Sequence, residues 1–251
     1  MLKTVDFYYF SPTGGTKKAG MLLATGIAKT VHEINLSEKA VDSPCSDVVV
    51  IAAPVFAGRI PALVSERLAG LDGHGRKAIT AVVYGVRAYD DALLELNDVM
   101  ENSGFEIIAS AALVARHSIV PEVGAGRPDQ VDEQEIKQFA NRILRAMDDG
   151  KVAAVAVPGN RPYKESPKSS FTPVSLSTCG GCGDCVAVCP TEAIEVRGEE
   201  VLTNAENCMM CMACVANCPT QARVLPPALS EGLAQKLSVF KDVRKENEFY
   251  I

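Results

Sequence analysis

Cys179-Gly180-Gly181-Cys182-Gly183-Asp184-Cys185-Val186-Ala187-Val188-Cys189-Pro190 and Cys208-Met209-Met210-Cys211-Met212-Ala213-Cys214-Val215-Ala216-Asn217-Cys218-Pro219 are two copies of one pattern, C-x2-C-x2-C-x3-C-P. Each cysteine of the first run recurs 29 positions later, and so does the proline, which marks an internal duplication. Cysteines three residues apart on a tight loop point their thiolates at one centre, and this suits a cuboidal iron–sulfur cluster. In runs of this form the first three cysteines serve one cluster and the fourth crosses to the other. The expected ligand sets are therefore Cys179, Cys182, Cys185 and Cys218 for cluster one, and Cys208, Cys211, Cys214 and Cys189 for cluster two.

Structural zinc sites also use C-x2-C pairs, but in two pairs rather than in two runs of four that each close on Cys-Pro. A disulfide framework fits poorly, because the chain opens without a secretory signal and the cysteines crowd one short segment. Cys45, the ninth cysteine, stands alone in Ser43-Pro44-Cys45-Ser46-Asp47 and reads as an unpaired thiol. Residues 171–225 resemble a compact bacterial-type ferredoxin with two [4Fe–4S] clusters.

A chain of 251 residues has room for about two domains. Its longest apolar run, Val48 to Ala53, stops at Pro54, far short of a membrane span of about 20 residues. The expectation is a cytoplasmic protein of an often anaerobic organism, with no membrane association. A formal net charge of −6 argues against a nucleic-acid partner. Residues 171–225 carry six acids (Asp184, Glu192, Glu195, Glu199, Glu200, Glu206) against Arg197 and Arg223. That balance suits either a redox partner with a basic docking face or simply a solvated acidic surface.

The first 150 residues alternate short apolar runs with helical periodicity, the pattern of a parallel sheet wrapped in helices. Strands are expected at Thr4–Phe10, Val31–Leu36, Val48–Ala53, Ala78–Tyr84 and Ile107–Val114. Helices are expected at Thr16–Lys29, Pro61–Gly70, Asp90–Ser103 and Asp132–Asp148. Right-handed crossovers make this an α/β doubly wound five-stranded parallel sheet, beside a small α+β ferredoxin-like domain. Ligands of such sheets sit beyond the carboxyl ends of the strands. After strand one comes Ser11-Pro12-Thr13-Gly14-Gly15-Thr16-Lys17, with glycines, three hydroxyls and a helix start, which suits a terminal monophosphate. It is neither a Walker A loop nor G-x-G-x-x-G, and it also reads as a capped helix start with a glycine turn. After strand three comes Pro54-Val55-Phe56-Ala57-Gly58-Arg59-Ile60-Pro61, and after strand four Tyr84-Gly85-Val86-Arg87-Ala88-Tyr89-Asp90-Asp91, where Asp90 is expected to cap the next helix.

Residues 1–150 thus resemble a flavodoxin, and the whole chain resembles the flavodoxin–ferredoxin fusion proteins of anaerobic bacteria and archaea. The resemblance implies FMN, its phosphate held by Ser11, Thr13, Gly14, Gly15, Thr16 and Lys17. The ring would lie against Pro54, Val55, Phe56, Ala57 and Gly58, and beside Tyr84, Gly85, Arg87, Tyr89 and Asp90. The chain has no tryptophan, so the indole that stacks on the flavin in many flavodoxins is missing, and Phe56 or Tyr89 stands in or one ring face stays open. Arg116-His117-Ser118 ends strand five near the same edge, and Ile119–Asp132 is a candidate lid or domain contact.

Domain limits follow: 1–150 flavodoxin-like, 151–170 linker, 171–228 ferredoxin, and 229–251 a helix (Ala228–Val239) with a charge-balanced tail. The functional expectation is electron transfer between two [4Fe–4S] clusters and FMN, coupling one-electron and two-electron carriers, with no catalytic side chain. Two other readings stay open. One is a flavin-dependent reductase of a small organic substrate, fed by the ferredoxin domain, so that the partner is a small-molecule electron acceptor instead of a redox protein. The other is a flavin-less docking module carrying the ferredoxin to partners.

Overall fold

The computed structural model describes residues 1–151, 153–166, 170–198 and 200–251. Pro167 of the linker and Glu199 of the acidic set lie outside the described residues. The N-terminal part runs β1 (Leu2–Tyr9), α1 (Gly15–Ile27), β2 (Ala28–Asn35), β3 (Val48–Pro54), α2 (Ala62–Ala69), β4 (Lys77–Tyr84), α3 (Ala92–Asn102), β5 (Glu106–Val114) and α4 (Gln130–Asp148). Each strand and helix expected from the sequence is present, with ends shifted by a few residues. Every residue of β3 is buried, as its unbroken Val48-Val49-Val50-Ile51 run demands of a strand covered on both faces.

The five strands pair in parallel in the order β2-β1-β3-β4-β5. This is the flavodoxin-like order, whose direction reverses between β1 and β3. Helices α1 and α4 cover one face, over Val5, Phe7, Leu23 and Phe139. Helices α2 and α3 cover the other, over Tyr8, Ile51, Leu68 and Leu93. A buried polar contact fastens α3 to the sheet: Thr80 Oγ1 donates to Asn97 Oδ1 at 2.6 Å and lies 2.8 Å from Ser110 Oγ. Helix α4 starts on a capping box, in which Asp129 accepts from the amides of Val131 and Asp132 while Asp132 accepts from the Asp129 amide. Such a cap is worth about 1 kcal/mol.

The C-terminal part comprises β6 (Val174–Ser175), α5 (Asp184–Ala187), β7 (Ile194–Arg197), β8 (Glu200–Thr203), α6 (Ala213–Ala216), β9 (Arg223–Val224), α7 (Pro227–Leu237) and β10 (Glu248–Tyr250). Here β6 pairs with β9, and β7 with β8, both antiparallel. The 29-residue duplication is written into the backbone as well. Left-handed residues at Gly181, Gly183 and Glu192 recur at Met210, Met212 and Gln221. Glycine adopts that region freely, so its replacement by methionine in the second copy signals a loop whose surroundings impose the turn.

Two features depart from the sequence expectation. The tail is not loose: β10 joins the sheet antiparallel to β5, making six strands. Asn247 secures it, accepting from the Val114 amide and donating to Asp132 and Glu135. The linker, too, is tied down. Asp91 accepts from the backbone amides of Asn160 and Lys164, and Asp98 binds Arg161 and Tyr163. Helix α7 inserts Leu237 into the N-terminal core. The cysteine-rich domain is therefore held to the sheet domain at both of its ends.

Candidate functional site

Three loops form the carboxyl edge of the sheet. In the first, Ser11 Oγ accepts from the Lys17 amide at 2.8 Å and Gly14 turns at φ +88°, which lifts the chain into α1. The amides of Gly15 and Thr16 belong to the helix's first turn, which the helix itself does not use. No acidic residue occupies that turn. A Cβ on Gly14 would meet nothing within 4 Å, so the loop is open on that side, while the Gly14 amide itself donates to the Ser11 carbonyl at 3.2 Å. Lys17 turns away, its ammonium 2.5 Å from Glu33 and 5.0 Å from the Tyr9 ring centre.

The second loop is a two-residue hairpin. Phe56 and Arg59 exchange both backbone hydrogen bonds across Ala57 (φ +53°) and Gly58 (φ +91°). Positive φ at both central positions is the signature of a type I′ turn. Arg59 reaches Glu95 of α3 with two hydrogen bonds of 2.7 Å, and Glu95 also accepts from the Ile60 amide. The third loop locks onto the second: the Asp91 amide donates to the Gly58 carbonyl, and Gly58 sits against Asp90. Buried Val86 stands at φ +66°, a left-handed conformation that costs a β-branched residue about 1–3 kcal/mol.

Two sequence expectations change here. Asp90 does not cap α3: it stands at φ +43° and pairs with Arg87 (2.5 Å) and Lys164 (2.8 Å), while Asp91 holds the cap position and the linker. Tyr89 offers no stacking face. It is 8% exposed, packs edge-on against Tyr84 and hydrogen-bonds Glu248 and Tyr250 of β10. Phe56 remains half-buried at the loop surface, edge-on to Phe10. His117 packs on Gly85, and its Nδ1 accepts from the amides of Ile119 and Val120. Burial holds its pKa below the usual histidine value.

In the C-terminal domain the buried thiols of Cys185 and Cys214 pack together with Ile194. Cys189 lies within electrostatic reach of Cys208, Cys211 and Cys214, and Cys185 within reach of Cys179. The two closing cysteines have matching surroundings. Cys189 Sγ accepts from the Ala193 amide at 3.3 Å, and Cys218 Sγ from the Ala222 amide at 3.2 Å. Burial pushes the Cys211 thiol up to about 12 and raises Cys185, Cys208 and Cys214 as well. At Cys218 burial also acts upward, but the Thr220 hydroxyl and three loop amides outweigh it and lower the pKa.

Arg223, which in the sequence reads only as one of two bases in an acidic segment, is the buried cation of this domain. It is 2% exposed, and its guanidinium donates to the Pro173 carbonyl, Ser175 Oγ and Thr203 Oγ1. Its buried Nε has no hydrogen-bond partner among the described residues. Its charge favours the thiolates of Cys185, Cys208 and Cys214. A buried cation set among clustered thiols, in hydrogen-bonding reach of Cys214, fits an anionic sulfur-rich group, and thiolate donors of this number and spacing fit iron.

A cavity of about 660 Å³ joins the two domains. Ser11, Pro12, Thr13 and Gly14 line it on one side, with Asn35, Ser37 and Glu38, and the Cys189-Pro190 turn and α6 line it on the other. Its size is that of a cofactor site, and hydroxyls with a free helix start suit a phosphate. Met209 and Cys211 pack on the core of the N-terminal domain, and Lys39 pairs with Glu192 at 2.6 Å.

Residues 174–219, which contain all eight paired-run cysteines, match the family described as a 4Fe-4S dicluster domain. No curated protein matches the chain. Among solved structures, rubredoxin oxygen:oxidoreductase from Desulfovibrio gigas is similar at 18% identity, over 60% of this chain and 37% of that one, with a TM-score of 0.43. The chain therefore spans little more than a third of that protein's length. A short-chain flavodoxin associated with a non-canonical PDU bacterial microcompartment is similar at 17% identity, over 58% of this chain and 99% of that one, with a TM-score of 0.43. Flavodoxin 1 from Bacillus cereus is similar at 13% identity, over 57% and 98%, with a TM-score of 0.43. Strand order and the matched cysteine segment define the class: a flavodoxin-like domain fused to a 4Fe-4S dicluster domain. No helix is long and apolar enough to cross a membrane, among the described residues.

Proposed function

We propose that the chain carries electrons between two [4Fe–4S] clusters and FMN. The observation that carries this reading is the shared cavity, where the Ser11–Gly14 loop and the Cys189-Pro190 turn face each other. Cys179, Cys182, Cys185 and Cys218 hold one cluster, and Cys208, Cys211, Cys214 and Cys189 the other. The mutual electrostatic reach of Cys189, Cys208, Cys211 and Cys214 supports the crossed scheme. When bound, the clusters exchange single electrons, whereas FMN accepts one or two.

The chain's own residues set the order. Cys189 lines the shared cavity and Cys211 packs on the N-terminal core, so the second set is the inner one. The first set is the outer one: Cys182 is exposed, as are Leu176 and Val186 of the same segment. Glu200 lines a cleft with Cys179 and Leu176, and Asp184 is exposed two residues beyond Cys182, which suits a redox partner with a basic docking face. On the flavin side, Ser11 and Gly14 shape the loop, the Gly15 and Thr16 amides with the Thr13 hydroxyl meet the phosphate, and the locked hairpin at Gly58 fixes the ring-side wall.

Rapid anaerobic mixing of the oxidised holoprotein with a one-electron donor tests the reading. Bleaching of the iron–sulfur absorption should precede that of the flavin, and substitution of Cys182 should slow the flavin phase selectively. Flavin reduction that is unaffected by loss of the outer cluster would refute the proposed order.

A further inference from the structure

Asp6, His32 and Cys45 come together on the β1–β2 side of the sheet, outside the cavity and the cysteine cage. Asp6 is fully buried in mid-strand, between Val5 and Phe7, and its one ion-pair partner among the described residues is His32. It stands in register with His32 on the edge strand β2. The segment leading into β3 folds back over the pair and delivers Cys45. Asp6 Oδ2 accepts from the amides of Cys45 (2.7 Å) and Ser46 (2.8 Å), and Oδ1 accepts from Ser46 Oγ (2.8 Å). The carboxylate is thereby fixed with Oδ1 turned to the other two side chains.

The triangle of donor atoms has edges of 3.3 Å (Cys45 Sγ to Asp6 Oδ1), 3.2 Å (His32 Nδ1 to Asp6 Oδ1) and 3.7 Å (Cys45 Sγ to His32 Nδ1). Bond lengths of about 2.3 Å for Zn–S and about 2.0–2.1 Å for Zn–N and Zn–O give a tetrahedron edges of about 3.3–3.6 Å. The three edges, at 3.2, 3.3 and 3.7 Å, fall within about 0.1 Å of that range. Asp6 closes the triangle from the protein side, while His32 and Cys45 are exposed, so the open corner faces solvent. We infer that Asp6, His32 and Cys45 form a zinc-class divalent metal site, with three protein ligands and a fourth position left to water or an exogenous donor. One thiolate, one imidazole and one carboxylate suit a borderline-soft ion such as Zn2+ rather than Mg2+ or Ca2+. Binding releases the Cys45 thiol proton to solvent. The amides and hydroxyl that hold the carboxylate act as its outer shell, orienting Oδ1. The site would clamp the segment before β3 to strands β1 and β2.

Anaerobic equilibrium dialysis of the full-length holoprotein against micromolar ZnCl2, with zinc and iron measured on the same sample, tests the site. The wild type should retain about one zinc per chain with its iron unchanged. Cys45→Ser and His32→Ala, both at exposed positions, should each lower retained zinc at least tenfold and keep the iron content. Zinc should also block alkylation of Cys45 by iodoacetamide, and a chelator should restore it. Equal zinc in wild type and both variants, zinc gained only as iron is lost, or unprotected Cys45 would overturn the inference and leave a hydrogen-bonded triad that keeps its thiol proton.

Discussion

Replacing Gly58 with alanine probes the joint between the two loops on the ring side of the proposed flavin site. Gly58 stands at φ +91°, where an L-residue costs about 1–2 kcal/mol. The added Cβ would also lie 2.3 Å from Asp90 Oδ2 and 2.8 Å from Asp90 Cβ. A carboxylate can swing aside, but the Cβ is fixed by a backbone already at φ +43°. The third loop must therefore shift, an overpacking cost of about 1–2 kcal/mol. Asp90 would also leave Arg87 and Lys164, partly exposed pairs worth about 0–1 kcal/mol each. The total is about 4 kcal/mol, a large fraction of typical domain stability yet compatible with folding. Gly126 is the control: it stands at φ +80°, and a Cβ there meets nothing within 4 Å. Gly126→Ala should cost only the backbone component, about 1–2 kcal/mol. Urea unfolding of the FMN-depleted full chain measures both, and an FMN titration should show Gly58→Ala weakened about tenfold. If the two variants lose the same stability within about 0.5 kcal/mol, the loops are not locked as described.

Three further outcomes are expected. Cys189→Ser should damage the cluster that holds Cys208, Cys211 and Cys214, and Cys218→Ser the other, as read by electron paramagnetic resonance; the reverse pattern would remove the crossed ligation. Arg223→Met removes a buried cation with three hydrogen bonds. It should cost about 2–4 kcal/mol and shift the cluster midpoints to more negative values, and unchanged potentials would show that the guanidinium does not act on the clusters. His117 has a folded pKa lowered by burial, so its stabilising contribution is complete above the unfolded value of about 6.5 and is lost as pH falls toward the folded pKa. His117→Asn keeps an acceptor for the Ile119 and Val120 amides and should flatten the fall of the melting temperature below about pH 6.5; an unaltered acid slope would assign that loss to other groups.

The strands and the cysteine runs were legible because each is a periodic or repeated signal. The all-apolar β3 requires cover on both faces, and the 29-residue repeat fixes eight positions at once. Strand β10 was not legible. It is three residues long and lies at an edge, so although Phe249 packs on Phe139 it is too short to show a periodic pattern, and Asn247 and backbone pairing hold it. Asp90 and Asp91 exchange roles because a left-handed turn, invisible in the residue types, sits between the loop and the helix. Tyr89 looks like a surface ring until the C-terminal strand supplies Glu248 and Tyr250 to its hydroxyl. Asp6, one polar residue inside an apolar strand, gave no sign of the partners that a distant loop brings to it.

Quantifying iron, acid-labile sulfide and FMN on one sample of anaerobically purified protein, together with its absorption spectrum, addresses the central claim most directly. The account predicts about eight irons, about eight sulfides and about one FMN per chain. Eight irons without flavin, in protein that also fails to bind added FMN, would contradict it and reduce the flavodoxin-like domain to a carrier for the clusters.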